Sequence, residues 1–204
     1  MRICGRAVAG AGTWRPMRSF RAAGHVWGWS CASIITARPA GESETIGSMS
    51  APTLRQAARV ITLDEHDRIL LLRYDEDSGS SFWATPGGCL EPGEDHTAAA
   101  VREMREELGV SDVKLGPHLA VRRKDHSIAG QPVRQVERYY IARVRTEQVR
   151  PEAATQPDEI RAWRWWTLAE VHASDQKVYP IGLAALVSGY LTDGAPARPV
   201  ELTG

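Results

Sequence analysis

Apolar positions fall into short runs separated by charged or turn-forming residues from position 54 onward. Residues 57–63 (AARVITL) and 68–74 (RILLLRY) are β-like, and Asp64-Glu65-His66-Asp67 between them predicts a reversal. A polar stretch from Asp75 to Ser81 leads into Phe82-Trp83-Ala84-Thr85, a short strand that stops at Pro86-Gly87-Gly88. Glu91-Pro92-Gly93-Glu94 then turns the chain. Asp95 is a predicted N-cap for a helix running to about Leu108, with Gly109 just past its end. Residues 117–123 and 136–145 predict two more strands joined by a polar loop, Lys124 to Arg134. Residues 160–166 (IRAWRWW) predict another strand, Thr167 caps a short helix, and Pro180 opens a last helix through Leu191. Strands broken by a few helices predict a single α/β or α+β domain over residues 49–195, with 196–204 as a flexible tail.

The first 48 residues carry no such pattern. They contain no Leu, Asp, Lys or Tyr but seven Gly, and without a period of 3.6 or 2 they have no face to bury. Residues 22–37 (AAGHVWGWSCASIITA) follow an Arg-bearing start, yet His25, Gly28 and Ser30 interrupt the apolar run and no small-residue cleavage site follows. Met49 opens the patterned region. The expectation is a disordered or artefactual extension over 1–48, with Met49 as a candidate translation start and an Arg- and Ser-bearing, acid-poor targeting leader as the alternative.

Net charge is zero over 204 residues, but it is unevenly placed. Residues 1–48 hold six Arg against Glu42 and Glu44, and the remaining 156 residues hold 19 basic and 23 acidic side chains. A mildly acidic body argues against nucleic-acid binding through a broadly basic surface. No run of apolar residues is long enough for a transmembrane helix, so no membrane partner is expected. Cys4, Cys31 and Cys89 form no CxxC pair, which points to a reducing cytoplasm rather than a zinc knuckle or disulfide framework.

On a helical wheel Val101, Met104 and Leu108 form one stripe within about 60°, which is expected to face the core. Glu103, Glu106 and Glu107 gather on the other side within about 100°. Like charges at this spacing repel, and acids near a helix C-terminus oppose its dipole. A divalent cation removes both penalties, and hard oxygen ligands suit Mg²⁺ or Mn²⁺ rather than Zn²⁺. A solvated face salted by Arg102 and Arg105 is the competing reading.

The surroundings separate the two. The run GCLEPGEDHTAAAVREMREELGV, residues 88–110, matches every fixed position of G-x5-E-x7-R-E-U-x-E-E-x-G-U, where U is aliphatic. On this motif the chain resembles the Nudix hydrolases, and the strand ending in PGG and the late EIRAWRWWTLAEV segment are similar to that family too. The resemblance implies the Nudix fold, a mixed β-sheet sandwiched between helices with the box as a loop–helix–loop. It implies hydrolysis of a nucleoside diphosphate linked to another moiety X, with Mg²⁺ or Mn²⁺, by water attack at phosphorus. It makes Glu103, Glu106 and Glu107 the metal ligands, with a backbone carbonyl of Gly87 or Gly88 adding another because glycine lets the backbone approach closely. Arg102 orients the catalytic carboxylates, Glu94 is scaffold, and Gly109 turns the chain away.

The general base is either a box glutamate or a residue of another loop, with Asp125, His126 and Glu137 as candidates. Arg73, Arg122 and the neighbouring Arg123 and Lys124 are candidate phosphate contacts, and Trp83, Trp163, Trp165 or Trp166 could stack on a base. In a strand Trp163 and Trp165 share one face and Trp166 the other, so at least one side is core. The small-molecule substrate stays open among a nucleoside triphosphate, an oxidised nucleotide and a nucleotide sugar. Family members are often dimers, so a homodimer through the strands near Tyr139-Tyr140 or Trp165-Trp166 is one expectation, and burial of those aromatics in the core is preferred. A non-catalytic nucleotide-binding regulator is the alternative function, disfavoured by the intact box. An isoprenyl-diphosphate isomerase finds only Cys89 in its favour, and an RNA-cap hydrolase lacks an electrostatic footprint.

Overall fold

The computed structural model describes residues 51–76, 78–128, 130–155 and 160–203, so the 1–48 extension lies outside the described residues. The elements run β1 (Thr53–Leu63), β2 (Ile69–Asp75), β3 (Ser81–Ala84), β4 (Gly87–Cys89), α1 (His96–Leu108), β5 (Leu115–Ile128) and β6 (Gln131–Arg143). They continue with β7 (Ile160–Trp166), α2 (Leu168–Ala173), β8 (Lys177–Tyr179), α3 (Leu183–Asp193) and β9 (Val200–Leu202). One mixed sheet runs β8-β3-β2-β1-β6-β5-β9, with β4 added on β1 and β7 on β2. β1 lies parallel to β6 along its whole length, from Thr53 beside Val133 to Leu63 beside Arg143. Its pairings with β2 and β4 are antiparallel.

Strand alternation sends successive side chains to opposite faces, and both faces are covered. Ala58, Val60, Leu70, Leu72 and Phe82 pack in one cluster with Met104 and Leu108 of α1. Ile61, Leu63, Ile69, Leu71 and Trp83 pack in another with Leu183 and Val187 of α3. This is the α/β/α sandwich that the resemblance implied. Tyr139, Tyr140 and Trp166 are buried in the two cores. Trp163 and Trp165 lie on the α1 side and Trp166 on the α3 side, as the alternation predicted.

Several segments differ from the sequence expectation. The stretch read as a polar loop, Lys124 to Arg134, is mostly strand: β5 and β6 pair from Lys124 beside Gln135 to Ile128 beside Gln131. Its inward positions are polar because they line a cavity rather than the core, so the apolar alternation that signals a strand is missing. Residues 200–202, inside the segment expected to be a tail, form β9 beside β5. Pro180 precedes the last helix rather than opening it, since Gly182 is the cap and Leu183 the first residue. Helix α1 is rotated from the expected stripe. His96, Ala99, Ala100, Glu103, Met104, Glu107 and Leu108 are its buried positions, and Val101 is only partly covered.

Candidate active site

Helix α1 starts where Asp95 accepts hydrogen bonds from the backbone of Thr97 and Ala98, each at 2.8 Å. It ends where Gly109 adopts a left-handed φ of 66° and its N–H closes on the Arg105 carbonyl. Both ends are therefore fixed by local chemistry, which sets the phase at which residues 103–107 meet β4.

Arg102 organises the carboxylates. Its Nε and Nη2 form a fork on Glu94, each 3.0 Å from an oxygen. Its Nη1 donates to Glu103 Oε1 at 2.9 Å and to Glu106 Oε2 at 2.8 Å, while Nη2 also reaches the Cys89 carbonyl at 2.9 Å. Only a planar guanidinium serves so many acceptors in fixed directions. Glu94 also accepts from the Glu91 backbone at 3.0 Å, and the Arg102 contact holds its carboxyl below the usual range. Arg102 and Glu94 thus tie the loop before the helix to the helix itself through side-chain hydrogen bonds.

Glu103 and Glu107 lie on the covered side of the helix. Burial pushes the Glu103 carboxyl up, although Arg102 pulls the other way. Glu107 is clamped from two elements: Oε2 accepts from the Gly87 N–H at 2.7 Å, and Oε1 accepts from the Tyr74 hydroxyl at 3.1 Å. Gly88 passes so close to Glu103 that a Cβ there would stand 2.3 Å from Oε1. The Gly87 carbonyl accepts from Arg59 Nη1.

Arg59 links β4 to a buried charge cluster. Its Nε lies 3.5 Å from Glu137, which also receives Arg122 at 2.9 Å and the Tyr139 hydroxyl at 2.7 Å. Burial raises the Glu137 carboxyl, but Arg59 and Arg122 outweigh it and hold the group below its ordinary value. These residues border a cavity of about 360 Å³ that also takes in Phe82, Cys89, Lys124 and Tyr179. That volume is within the range of small-molecule sites. Arg122 stacks over the Tyr179 ring at 5.4 Å.

The other expected residues are distributed unevenly. Arg122 and His126 line the cavity, whereas Arg73 and Trp83 do not. Arg73 is exposed beside Asp75, and Trp83 packs edge-on against Trp166 in the α3-side core. Asp125 is exposed and held by Arg134 at 2.7 Å. Burial pushes the His126 imidazole down. Sequence reasoning missed Arg59, Arg55, Phe82 and Tyr179. Arg59 had a signal, a lone cation inside the apolar run AARVITL. Asp64, Glu65 and His66 come close enough together to share an ion, but Asp64 already accepts from the His66 and Arg68 backbones and the Arg68 side chain, which is turn architecture.

Residues 53–183 match the family described as NUDIX domain. The chain belongs to the Nudix family. An RNA pyrophosphohydrolase of Sphingopyxis alaskensis is 30% identical over 105 residues, covering 47% of this chain and 66% of that protein, just under two thirds of its length. The asymmetrical bis(5'-nucleosyl)-tetraphosphatase of Mus musculus is 30% identical over 106 residues, covering 52% and 69%. The MutT protein of Methanosarcina mazei Go1 superposes with a TM-score of 0.52 at 18% identity, covering 68% of this chain and 94% of that one. The E. coli dihydroneopterin triphosphate pyrophosphohydrolase gives 0.52 at 17% identity, covering 68% and 97%. The two structural likenesses establish the fold. No helix among the described residues is long and apolar enough to cross a membrane.

Proposed function

We propose that this Nudix hydrolase cleaves the pyrophosphate linkage of a nucleoside diphosphate joined to a second moiety X, with Mg²⁺ or Mn²⁺ as cofactor. The observation that carries the reading is that β4 is shared. One side of it meets Glu103 and Glu107, and Cys89 and the partner of Gly87, Arg59, border the cavity.

The donor set fits a hard divalent cation: three carboxylates, one raised by burial, against a glycine backbone that no side chain obstructs. Glu103, Glu106 and Glu107 would hold it. A backbone carbonyl of Gly87 or Gly88 would add a further oxygen donor, the Gly87 oxygen being also an acceptor for Arg59. When bound, such an ion neutralises charge on the pyrophosphate oxygens and lowers the pKa of the attacking water.

The chain's own residues do the rest. Arg102 aims the carboxylates, and Arg59 and Arg122 supply buried cations for an anionic substrate. Glu137 makes a poor base because its oxygens are engaged by two guanidiniums and a phenol. His126 borders the cavity, and burial favours its neutral, proton-accepting form. A nucleoside triphosphate, an oxidised nucleotide and a nucleotide sugar are all small-molecule substrates that this reading admits. Release of phosphate or pyrophosphate from a nucleotide panel, with Mg²⁺, Mn²⁺ or chelator, tests it. Turnover of one compound, lost with chelator and reduced at least 100-fold in Glu106→Gln, is the expected result. Metal-dependent binding without turnover would instead favour the regulatory alternative.

A further inference from the structure

The face of the sheet that lines the cavity carries its cations in rows. Arg59 sits level with Gly87 on one side and Tyr139 on the other, and so at the box. One row out, Arg122 faces Glu137. One row further, Lys124 and Arg55 flank Gln135, Lys124 from β5 and Arg55 from β1. All four cations border the cavity, and Glu137 is the one carboxylate among its described lining residues. From Arg59 to Arg55 is four residues, roughly 13 Å of strand at about 3.3 Å per residue. A ladder of cations therefore starts at the box and leads away from it along the cavity wall.

We propose that this ladder is a subsite for an anionic X: substrates whose X carries further phosphates, a nucleoside tri- or tetraphosphate, are preferred over those whose X is an uncharged sugar. This rests on the reading that the chain cleaves a pyrophosphate link. The physical reason is reach. The scissile diphosphate is served at the Arg59 end, and a neutral sugar makes no charge-assisted hydrogen bonds with Lys124 or Arg55, whereas successive phosphates make them with each row. Each such contact is worth on the order of tenfold in affinity. Arg122 also lies over the ring of Tyr179 of β8, which holds that guanidinium against the cavity wall.

The test uses the full chain. Inorganic tripolyphosphate and pyrophosphate are titrated calorimetrically without divalent metal, and initial rates are taken with Mg²⁺ on adenosine tetraphosphate, ATP and ADP-ribose. Tripolyphosphate is expected to bind at least tenfold more tightly than pyrophosphate. The double variant Arg55→Gln with Lys124→Gln is expected to shrink that ratio below threefold and to raise KM for ATP relative to ADP-ribose. Arg55→Lys keeps the charge and is expected to keep the ratio. Equal binding of the two anions, a ratio untouched in the double variant, a loss in Arg55→Lys as large as in Arg55→Gln, or a preference for ADP-ribose each overturns the subsite. Tight tripolyphosphate binding without hydrolysis of any nucleotide upholds the ladder and overturns the hydrolytic reading. Hydrolysis without phosphate-number preference does the reverse.

Discussion

Gly88 and Glu103 are in such close approach that a Cβ on the first would lie 2.3 Å from Oε1 of the second. The obstacle is the end of a flexible side chain, so Gly88→Ala is expected to fold by pushing the Glu103 carboxylate aside. Turnover is expected to fall at least tenfold at saturating metal, with little change in melting temperature. At Gly87 the obstacle is backbone: a Cβ would lie 2.2 Å from the Ala58 carbonyl oxygen, and φ is +125°. Gly87→Ala is therefore expected to lose stability outright. A thermal melt and a rate assay on both variants separate the two, and equal melting losses would remove the distinction.

Arg102 joins Glu94, Glu103, Glu106 and the Cys89 carbonyl through one guanidinium. Lysine keeps the charge but not the fork. Arg102→Lys is expected to cost about 2 kcal/mol of stability, the scale of one or two hydrogen bonds to charged groups. It is also expected to raise the metal concentration needed for half-maximal rate. Denaturant unfolding and a Mg²⁺ titration of rate read the two effects, and a metal requirement identical to that of the unaltered chain would show that Arg102 does not aim the ligands.

The box and its helix were legible because their signals are local. A cap at Asp95, a stop at Gly109 and fixed spacing between them need no tertiary information. The phase of α1 was not legible. A wheel assigns Glu103 and Glu107 to solvent on polarity, yet Gly87, Gly88 and Tyr74 cover them in the fold, and those partners lie more than ten positions away in sequence. The outer part of the β5–β6 hairpin was missed for a related reason. Arg122, Lys124 and His126 alternate as a strand demands, but a cavity-facing row of polar residues reads as a loop. Net charge misled in the same way, since an acidic body average conceals four cations gathered at one cavity.

Trp83 is an aromatic that looked available for base stacking and is core instead. Its ring meets Trp166 at 5.2 Å, and its indole N–H donates to Gln176. Trp83→Ala is expected to cost about 3–5 kcal/mol through the cavity it leaves. KM for any substrate is expected to stay within about twofold, because the side chain does not border the cavity. A KM rise of tenfold in the folded variant would return Trp83 to the binding site.

Glu137 supplies a pH signature. Burial pushes its carboxyl up, but the Coulombic pull of Arg59 and Arg122 and the Tyr139 hydrogen bond prevail, leaving it below the ordinary 4.5. A carboxylate with a depressed folded value contributes stability above its unfolded value and loses that contribution as pH falls through the folded one. Glu137→Gln keeps the shape, removes the charge, and leaves two buried guanidiniums without their shared partner. The variant is thus expected to melt well below the unaltered chain at pH 7, and the gap is expected to narrow as pH falls below 4.5. Melting curves from pH 7 to 3 on both proteins measure the gap directly. A gap that stays constant or widens on acidification would mean that Glu137 is not held as the anion in the folded chain.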